Sequence, residues 1–315
     1  MDSKYSEKVI EKIFFDPVDA GANRLCILTE NATPNMVSWL LTTYSERGKG
    51  QITIELVIES TFDGGIDIIS HEGFKELQKN YCSGNNSKFI CSYLHQPPKS
   101  QNNSFIWLFD ERPMKAFSCP CDFTQASLLS IQHDCFNAVP AVEAYELFVK
   151  LLNRTIYCNH AEVIDYINIR GSNNITLLSD NGNSLEKCVL SLITRTGETG
   201  TKSGLNWGQR NKRNRNEAYI PLPSKIAKSG FFPLNKQHFL VLTDDHHTLL
   251  LRVEQQNDKA ITTPASNAQL GEYFRNRLGL ANGAYIHASD LRDYGRTDVT
   301  FYKIDEEQYY MDFSV

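Results

Sequence analysis

The chain has 315 residues, of which 41% are hydrophobic and 22% are charged, and its formal net charge is -5 at pH 7. This composition is typical of a folded protein with room for two ordinary domains, and it excludes a disordered chain. It also excludes a histone-like protein that binds nucleic acid through overall positive charge, so any such contact must come from a local basic patch.

Cellular location and bound groups can be inferred from the cysteines and from the first residues. The eight cysteines lie mostly among apolar neighbours, as free buried thiols do, and MDSKYSEKVIEKIFF has no apolar segment of a signal peptide. No stretch approaches the roughly 18 apolar residues of a membrane span. Cys119 and Cys121 are close, but no second Cys or His pair follows at ligand spacing. We therefore expect a cytoplasmic protein without membrane contact, metal or cofactor.

The first part of the chain alternates strand and helix patterns. Short β-branched or apolar runs predict strands, and longer runs with apolar residues at helical spacing predict helices between them. The strand patterns are RLCILTE, QITIELVIEST, KFICSYLH, NNSFIWLFDE and MKAFSCPCDFT, and the helix patterns are NMVSWLLTTYSERG, HEGFKELQKN and VPAVEAYELFVKLLNRT. This alternation predicts an α/β domain with a mixed sheet. It ends near Asp180, and we assign the domain to residues 1–185.

Residues 186–315 have a different pattern, in which short strands are separated by turns rich in Pro, Gly and Asp. The predicted strands are AYIPLP, HFLVLTD, TLLLRVEQ, GAYIHA and VTFYKI, with one helix at AQLGEYFRNRLG. Many short strands with little helix predict a mainly-β barrel or sandwich.

The stretch from Arg195 to Glu217 lies at the start of this second domain and is unusually basic and rich in amides. Lys and Arg neutralise phosphates, whereas Asn and Gln form hydrogen bonds with base edges, so the mixture favours binding of nucleic acid. A solvated charged loop is the alternative. Because Trp207 is the only aromatic residue among these cations, duplex DNA is favoured over single-stranded RNA. The candidate DNA-binding residues here are Lys202, Asn206, Trp207, Gln209, Arg210, Lys212, Arg213 and Arg215.

A second polar segment, AITTPASNAQ, is rich in hydroxyl and amide side chains that suit phosphates and base edges. Its alternative role is to cap the following helix through Ser266 or Asn267. The candidate DNA-binding residues here are Thr262, Thr263, Ser266, Asn267 and Gln269.

Several other polar clusters have simpler explanations. Asp244 to His247, DDHH, has the composition of a hairpin turn. His71 and Glu72 stand where they could cap a helix. Arg275 and Arg277 are two residues apart, so on a helix at most one of them needs to face DNA.

The last part of the chain contains the long strings SGLNWGQRN, NEAYIPLP, SGFFP, LGEYFRNRLGL and DLRDYGRTDVTFYKIDEEQYYMDFS. These strings resemble the C-terminal DNA-binding module of the NgoFVII family of restriction endonucleases. The resemblance implies a B3-like pseudobarrel that holds DNA between two arms. On this sequence, one arm would be Lys202 to Arg215 and the other would lie at 262–269.

The first domain resembles the nuclease half of the same family, which is similar to phospholipase D. That resemblance implies a homodimer formed through this domain, with a metal-free site in which a His-x-Lys motif supplies a nucleophile and a cation. Here Gln101 and Asn103 stand in the place of that motif, and Asp122, in CPCDFT, falls where a Gly-Ser-type phosphate motif is expected. An amide neither attacks phosphorus as imidazole does nor supplies a cation.

Two interpretations follow for the whole chain. The family resemblance implies a type II restriction endonuclease that hydrolyses phosphodiesters in DNA it recognises by sequence. The altered motif favours an inactive DNA-binding specificity subunit or regulator that recruits a separate nuclease or helicase-like partner. His95 and Lys99, in LHQPPKS, are the weak candidates for replacement catalytic residues, although the prolines between them disfavour a regular strand.

Overall fold

The computed structural model describes residues 9–82, 87–100, 102–129, 136–171 and 185–315. The chain divides into two compact units, Met1–Ile175 and Thr176–Val315. The segment around Asp180, where the sequence pattern breaks, lies outside the described residues. Each unit contains its own seven-stranded sheet.

The N-terminal unit is an α/β layer structure, as the alternating pattern predicted. Its strands are β1 (Arg24–Thr29), β2 (Thr53–Ile58), β3 (Ile66–Asp67), β4 (Lys88–Leu94), β5 (Asn103–Phe109), β6 (Arg112–Cys119), β7 (Asn137–Val139), β8 (Thr155–Tyr157) and β9 (Ile169–Arg170). Its helices are the π-helix Glu11–Phe15 and the α-helices Asp16–Asp19, Pro34–Glu46, Thr61–Gly64, Ile68–Asn80, Gln125–Leu129, Ala141–Leu152 and Val163–Tyr166.

The large sheet of this unit is mixed, with strand order β7-β6-β5-β1-β2-β4-β8. Strands β1, β2 and β4 are parallel to one another, whereas β5 is antiparallel to β1 and β6 to β5. The end of β1 therefore lies beside the start of β5 and the end of β6. This edge of the sheet brings together segments that are far apart in sequence.

The helix Ile68–Asn80 corrects one expectation. Asp67, and not His71 or Glu72, caps it, because the Asp67 carboxylate accepts a hydrogen bond of 2.8 Å from the backbone N–H of Ser70. His71 is buried inside the helix, and its Nδ1 lies 3.1 Å from the Tyr93 hydroxyl. Burial lowers the pKa of His71 to about 4.

The C-terminal unit is mainly β, as predicted. Its strands are β10 (Lys187–Ser191), β11 (Ile220–Pro221), β12 (His238–Thr243), β13 (Thr248–Glu254), β14 (Ala260–Thr262), β15 (Asp298–Lys303) and β16 (Gln308–Asp312). Its helices are the 3-10 helix Gly204–Gln209 and the α-helices Ser224–Ala227, Asn267–Arg277 and Ala288–Tyr294.

The sheet of this unit has the order β10-β15-β16-β12-β13-β14-β11, with β12 and β16 parallel and its other neighbours antiparallel. The edge strands β10 and β11 approach each other, so the sheet nearly closes into a barrel. Asp244 to His247 forms the turn between β12 and β13, as the composition of DDHH predicted.

The strand predicted at GAYIHA is wrong. Residues 281–287 instead form a loop between two helices, and their polar backbone groups are bonded to side chains of neighbouring segments. None of the helices in the described part of the chain is long and apolar enough to cross a membrane.

Candidate functional site

In the N-terminal unit, a cavity of about 360 Å³ opens at the edge where β1, β2, β5 and β6 meet. We call it the strand-end pocket. Its lining is polar and carries three carboxylates. The lining residues are Glu30, Glu59, Ser100, Asn102, Asn103, Pro120 and Asp122.

Hydrogen bonds hold the polar side chains of the strand-end pocket. Asn103 accepts a bond of 2.7 Å from the backbone N–H of Glu30, and its amide nitrogen lies 3.4 Å from an Asp122 carboxylate oxygen. Glu59, which is 1% exposed, accepts a bond of 2.7 Å from the backbone N–H of Ser100 and a second from its hydroxyl. Asn103, placed by sequence at the position of a catalytic lysine, therefore joins two strand ends and carries no charge.

The charge of the strand-end pocket is unfavourable for a phosphodiester. Phosphoryl transfer is catalysed by cations or hydrogen-bond donors aimed at the negative charge that develops on the phosphate oxygens. Glu30, Glu59 and Asp122 place carboxylates on this lining instead. Gln101, placed by sequence at the position of the histidine nucleophile, lies outside the described residues.

Neither of the two weak catalytic candidates is among the residues that line the strand-end pocket, although Lys99 bonds Glu30 of that lining. His95 follows β4 and packs against Tyr166, with ring centroids 5.0 Å apart. The Lys99 ammonium lies 3.0 Å from Glu30 and 2.9 Å from Asp63. Although burial acts in the opposite direction, the hydrogen bonds to Asp63 and Glu30 raise the pKa of Lys99. Lys99 is therefore a cation already paired with two carboxylates.

In the C-terminal unit, residues 202–215, which we call the basic arm, present a row of cations to solvent. Five basic residues of the arm are exposed: Lys202, Arg210, Lys212, Arg213 and Arg215. The Arg213 guanidinium lies 4.0 Å from the centre of the Trp207 ring and 2.5 Å from a Glu217 carboxylate oxygen. Trp207 thus supports an arginine, while its own ring meets Tyr219 edge to face. The basic arm is therefore an ordered cationic surface.

One candidate in the basic arm does not face solvent. Asn206 is fully buried, and its amide forms hydrogen bonds of 2.8 and 2.9 Å with the backbone C=O and N–H of Ile286. Its side chain holds the base of the arm, so the direct DNA contact expected from the sequence does not fit its position. Gln209 is half-buried and donates a bond of 3.1 Å to the carbonyl of Gly283.

Neither arginine of the YFRNR string faces solvent freely. Arg275 is 0% exposed and donates to the carbonyls of Ala284 at 2.8 Å and Gly271 at 3.0 Å. Arg277 forms a bidentate pair with Asp244, with distances of 2.9 and 2.7 Å. Both arginines therefore stabilise the unit from within.

The candidate residues at 262–269, which we call the polar segment, also include both buried and more exposed side chains. Thr262 and Thr263 are each 1% exposed, and their hydroxyls donate to Glu254 and to the backbone of Ser266. Burial is incompatible with the direct base contacts expected for them. Ser266 caps the helix Asn267–Arg277, as the simpler interpretation proposed. Asn267 and Gln269 are half-buried, and the Asn267 carbonyl accepts a bond of 3.1 Å from Ala218, just after the basic arm.

Among the described residues, no group of three or more His, Cys, Asp or Glu side chains is placed to hold a metal ion. Sequence reasoning missed the loop at 281–287, which lies against the basic arm. Asn282 and His287 of this loop are exposed, but the alternation in GAYIHA is typical of a strand and did not indicate a loop.

Comparison with known proteins covers both units. The model of the NgoFVII restriction endonuclease N-terminal PLD domain matches residues 7–165, and the model of the NgoFVII C-terminal B3-like DNA-binding domain matches residues 180–305. No curated protein matches the sequence. Among solved structures, NucT from Helicobacter pylori is similar at 10% sequence identity, with a TM-score of 0.32. The match covers 49% of this chain and 93% of the NucT chain. That score is too low to support an argument about fold or function.

Proposed function

We propose that the basic arm binds double-stranded DNA, because this chain belongs to the NgoFVII restriction endonuclease family. Members of this family recognise DNA in a restriction system, and this chain has that role. The single observation that carries the proposal is the row of five exposed cations on an otherwise acidic chain. Phosphate contacts by Lys and Arg supply affinity, and neighbouring amides supply contacts with base edges. Asn211 and Asn214, which are exposed between the cations, are suited to the second task.

The architecture of the C-terminal unit supports a finer proposal, that it is a B3-like pseudobarrel. Its nearly closed seven-stranded sheet, with one parallel pair between β12 and β16, is compatible with the description of the matching family model. The corresponding domains would be residues 1–185 and 186–315. A homodimer formed through the N-terminal domain and a cytoplasmic location belong to the same proposal.

Titration of the wild-type chain with duplex DNA tests the proposed function. A labelled duplex pool with a randomised core should be enriched for one sequence after successive rounds of binding. Affinity for the enriched duplex should fall linearly on a log–log plot as KCl is raised, because bound phosphates release counterions. The absence of any enriched sequence, together with no binding at low salt, would overturn the proposal.

A second candidate function, recognition without cleavage, is favoured by the strand-end pocket. Glu30, Glu59 and Asp122 give its lining negative charge, and Asn103 stands where the family resemblance implies a lysine. In this case a separate nuclease or helicase-like partner would supply the phosphodiester hydrolysis that the family name implies.

Incubation with plasmid DNA separates the two candidates. The inactive chain should leave supercoiled plasmid intact in EDTA, in Mg²⁺ and in Mn²⁺, under conditions in which the same preparation binds the enriched duplex. Discrete linear fragments in EDTA would overturn this candidate and would show that the chain cleaves DNA by a metal-free reaction.

A further inference from the structure

The loop at residues 281–287 is fixed beside the basic arm by side chains of the arm, of the residues that flank it and of the helix Asn267–Arg277. The buried amide of Asn206 bonds both the N–H and the C=O of Ile286, at 2.9 and 2.8 Å. Ile286 C=O also accepts a bond of 2.8 Å from the Thr199 hydroxyl. Three bonds from two side chains therefore determine the position of one end of the loop.

The other end of the loop is held as firmly. The Asn216 side chain accepts a bond of 2.6 Å from the N–H of Gly283, and Gln209 donates to the carbonyl of the same glycine at 3.1 Å. The buried Arg275 donates to the carbonyl of Ala284 at 2.8 Å. A buried donor or acceptor costs free energy when it loses its partner, so these bonds resist displacement of the loop from the arm.

Direct packing joins the loop to a cation of the arm. Gly283 has a φ of +77°, and a Cβ built there would lie 3.2 Å from Cβ and 3.7 Å from Cδ of Arg215. Glycine thus permits both the left-handed backbone and the close approach of the arginine side chain. The loop and Arg215 consequently share one surface.

The side chains that the loop presents are suited to DNA. Asn282 and His287 are exposed and Tyr285 is half-exposed, with the Tyr285 and His287 ring centroids 4.6 Å apart. An amide makes paired hydrogen bonds with a base edge, and an aromatic ring packs against sugars or bases. Neither of these interactions uses net charge. The exposed cation Arg215 packs against Gly283 in the same loop.

We propose that residues 281–287 form a third DNA-contacting segment, in which Asn282 and Tyr285 contact bases or sugars beside the phosphate that Arg215 binds. This inference rests on the proposed function, because it requires that the C-terminal unit bind duplex DNA. It adds a segment that neither the basic arm nor the polar segment contains. The loop would contribute discrimination between sequences, whereas the arm would contribute charge.

The test compares Asn282→Ala and Tyr285→Ala with the wild-type chain. The probes are the duplex enriched by the wild type and a duplex with the same base composition in scrambled order, each titrated at several KCl concentrations. We expect each variant to bind the enriched duplex about tenfold more weakly, which is the effect of removing one interaction with a base. Affinity for the scrambled duplex and the salt slope should be unchanged, because every phosphate remains neutralised.

A control with a similar ring pair is Tyr302→Ala, since Tyr302 and Tyr310 have centroids 6.1 Å apart on β15 and β16. It should bind both duplexes as the wild type does. A loop that only braces the arm would give a different result: both duplexes would bind more weakly and the salt slope would flatten. That result, or wild-type affinity of both variants for the enriched duplex, would overturn this inference.

The failure of this inference is distinguishable from failure of the proposed function. If the wild type binds no duplex, the proposed function is wrong and the loop variants have nothing to modify. If the wild type enriches a sequence and the loop variants match it, only the third segment is wrong. Thermal unfolding of each variant checks its fold, and Asn282→Ala, at an exposed position, keeps the test decisive if Tyr285→Ala destabilises the chain.

Discussion

The strand-end pocket and the basic arm are opposite in charge, although the family match connects both units with DNA. The pocket carries Glu30, Glu59 and Asp122 on its lining, and the nearby Lys99 is paired with carboxylates. The arm presents five cations, of which Arg213 is paired with Glu217. A polyanion is therefore attracted by one region and repelled by the other.

This difference teaches that the fold that builds a cavity does not determine the charge of the side chains that line it. The strand ends of the N-terminal unit converge on a cavity because buried strands and helices determine the sheet. The side chains that point into the cavity are under separate constraints. In this chain, binding of DNA and reaction with DNA must accordingly be tested separately.

The largest effect is expected from the arm. Replacing Arg213 and Arg215 together by Ala should weaken duplex binding by about 10- to 100-fold and reduce the salt slope by about 0.9 for each phosphate that is no longer neutralised. Of the single variants, Arg215→Ala should cost more, because Arg213 already bonds Glu217 and packs on Trp207. Fluorescence anisotropy at several KCl concentrations measures both quantities.

A charge-matched control for the arm is Lys225→Ala with Lys228→Ala, which removes two exposed cations elsewhere in the same unit. It should leave the salt slope nearly unchanged. Equal decreases in affinity for the two double variants would mean that total charge, and not the arm, determines binding.

A substitution in the helix Asn267–Arg277, which packs against the arm, is expected to weaken duplex binding almost as much. A Cβ at Gly271 would lie 1.7 Å from the Asn216 carbonyl oxygen, a backbone atom that cannot yield without moving the arm. Gly271→Ala should therefore lower the free energy of unfolding by about 1 to 3 kcal/mol and weaken duplex binding as well. Gly50→Ala in the other unit meets no atom within 4 Å and should change neither quantity. Urea unfolding and the duplex titration provide the measurements, and a stable Gly271→Ala variant with normal affinity would show that this packing does not position the arm.

Acid should destabilise both units through one buried histidine in each. Burial lowers the pKa of His71 to about 4, and burial together with Arg252 lowers that of His238 to about 3, against about 6.5 in an unfolded chain. Their contribution is fully present above about pH 6.5 and is lost as the pH falls towards those values, because the unfolded chain binds the proton first. Between pH 6 and 5 the decrease in unfolding free energy should be about 1 kcal/mol per histidine for each pH unit.

Urea unfolding between pH 7 and 4 checks the histidine prediction with His71→Gln and His238→Gln. Each variant should have a shallower dependence of unfolding free energy on pH than the wild type. Parallel curves for a variant and the wild type would exclude that histidine as a source of acid sensitivity.

The smallest effect is expected from the pocket. Glu30→Gln with Asp122→Asn should leave duplex affinity within about twofold of the wild type, because the proposed function assigns the phosphate contacts to the cations of the arm and none to this acidic lining. A rise in affinity, with a steeper salt slope, would show that these carboxylates face bound phosphate. Anisotropy titration alongside the arm variants makes the comparison direct.

The fold class of both units was predictable because it depends on the periodicity of apolar residues. The alternating pattern around RLCILTE and QITIELVIEST indicated the α/β unit, and the short strands after residue 186 indicated the mainly-β unit. The loop at 281–287 was not predictable from periodicity. Its alternation of Ala, Tyr, Ile and His resembles a strand, but hydrogen bonds from Asn206 and Asn216 fix a different backbone.

The composition of the candidate site was easier to predict than the orientation of its side chains. Cations of the basic arm are exposed as expected, since charged groups are costly to bury. Asn206, Thr262 and Thr263 are buried with internal partners, and an isolated sequence does not distinguish an amide that binds a base from one that binds its own backbone. Tertiary contacts decide between those uses.

Hydrogen–deuterium exchange of the full chain, with and without the enriched duplex, tests the central claim most directly. Binding through the basic arm and the adjoining loop should protect backbone amides at residues 202–216 and 281–287. Amides at the strand-end pocket, at residues 30–31, 102–104 and 119–123, should exchange at the same rate in both states. Protection at the pocket with none in the basic arm would contradict the account.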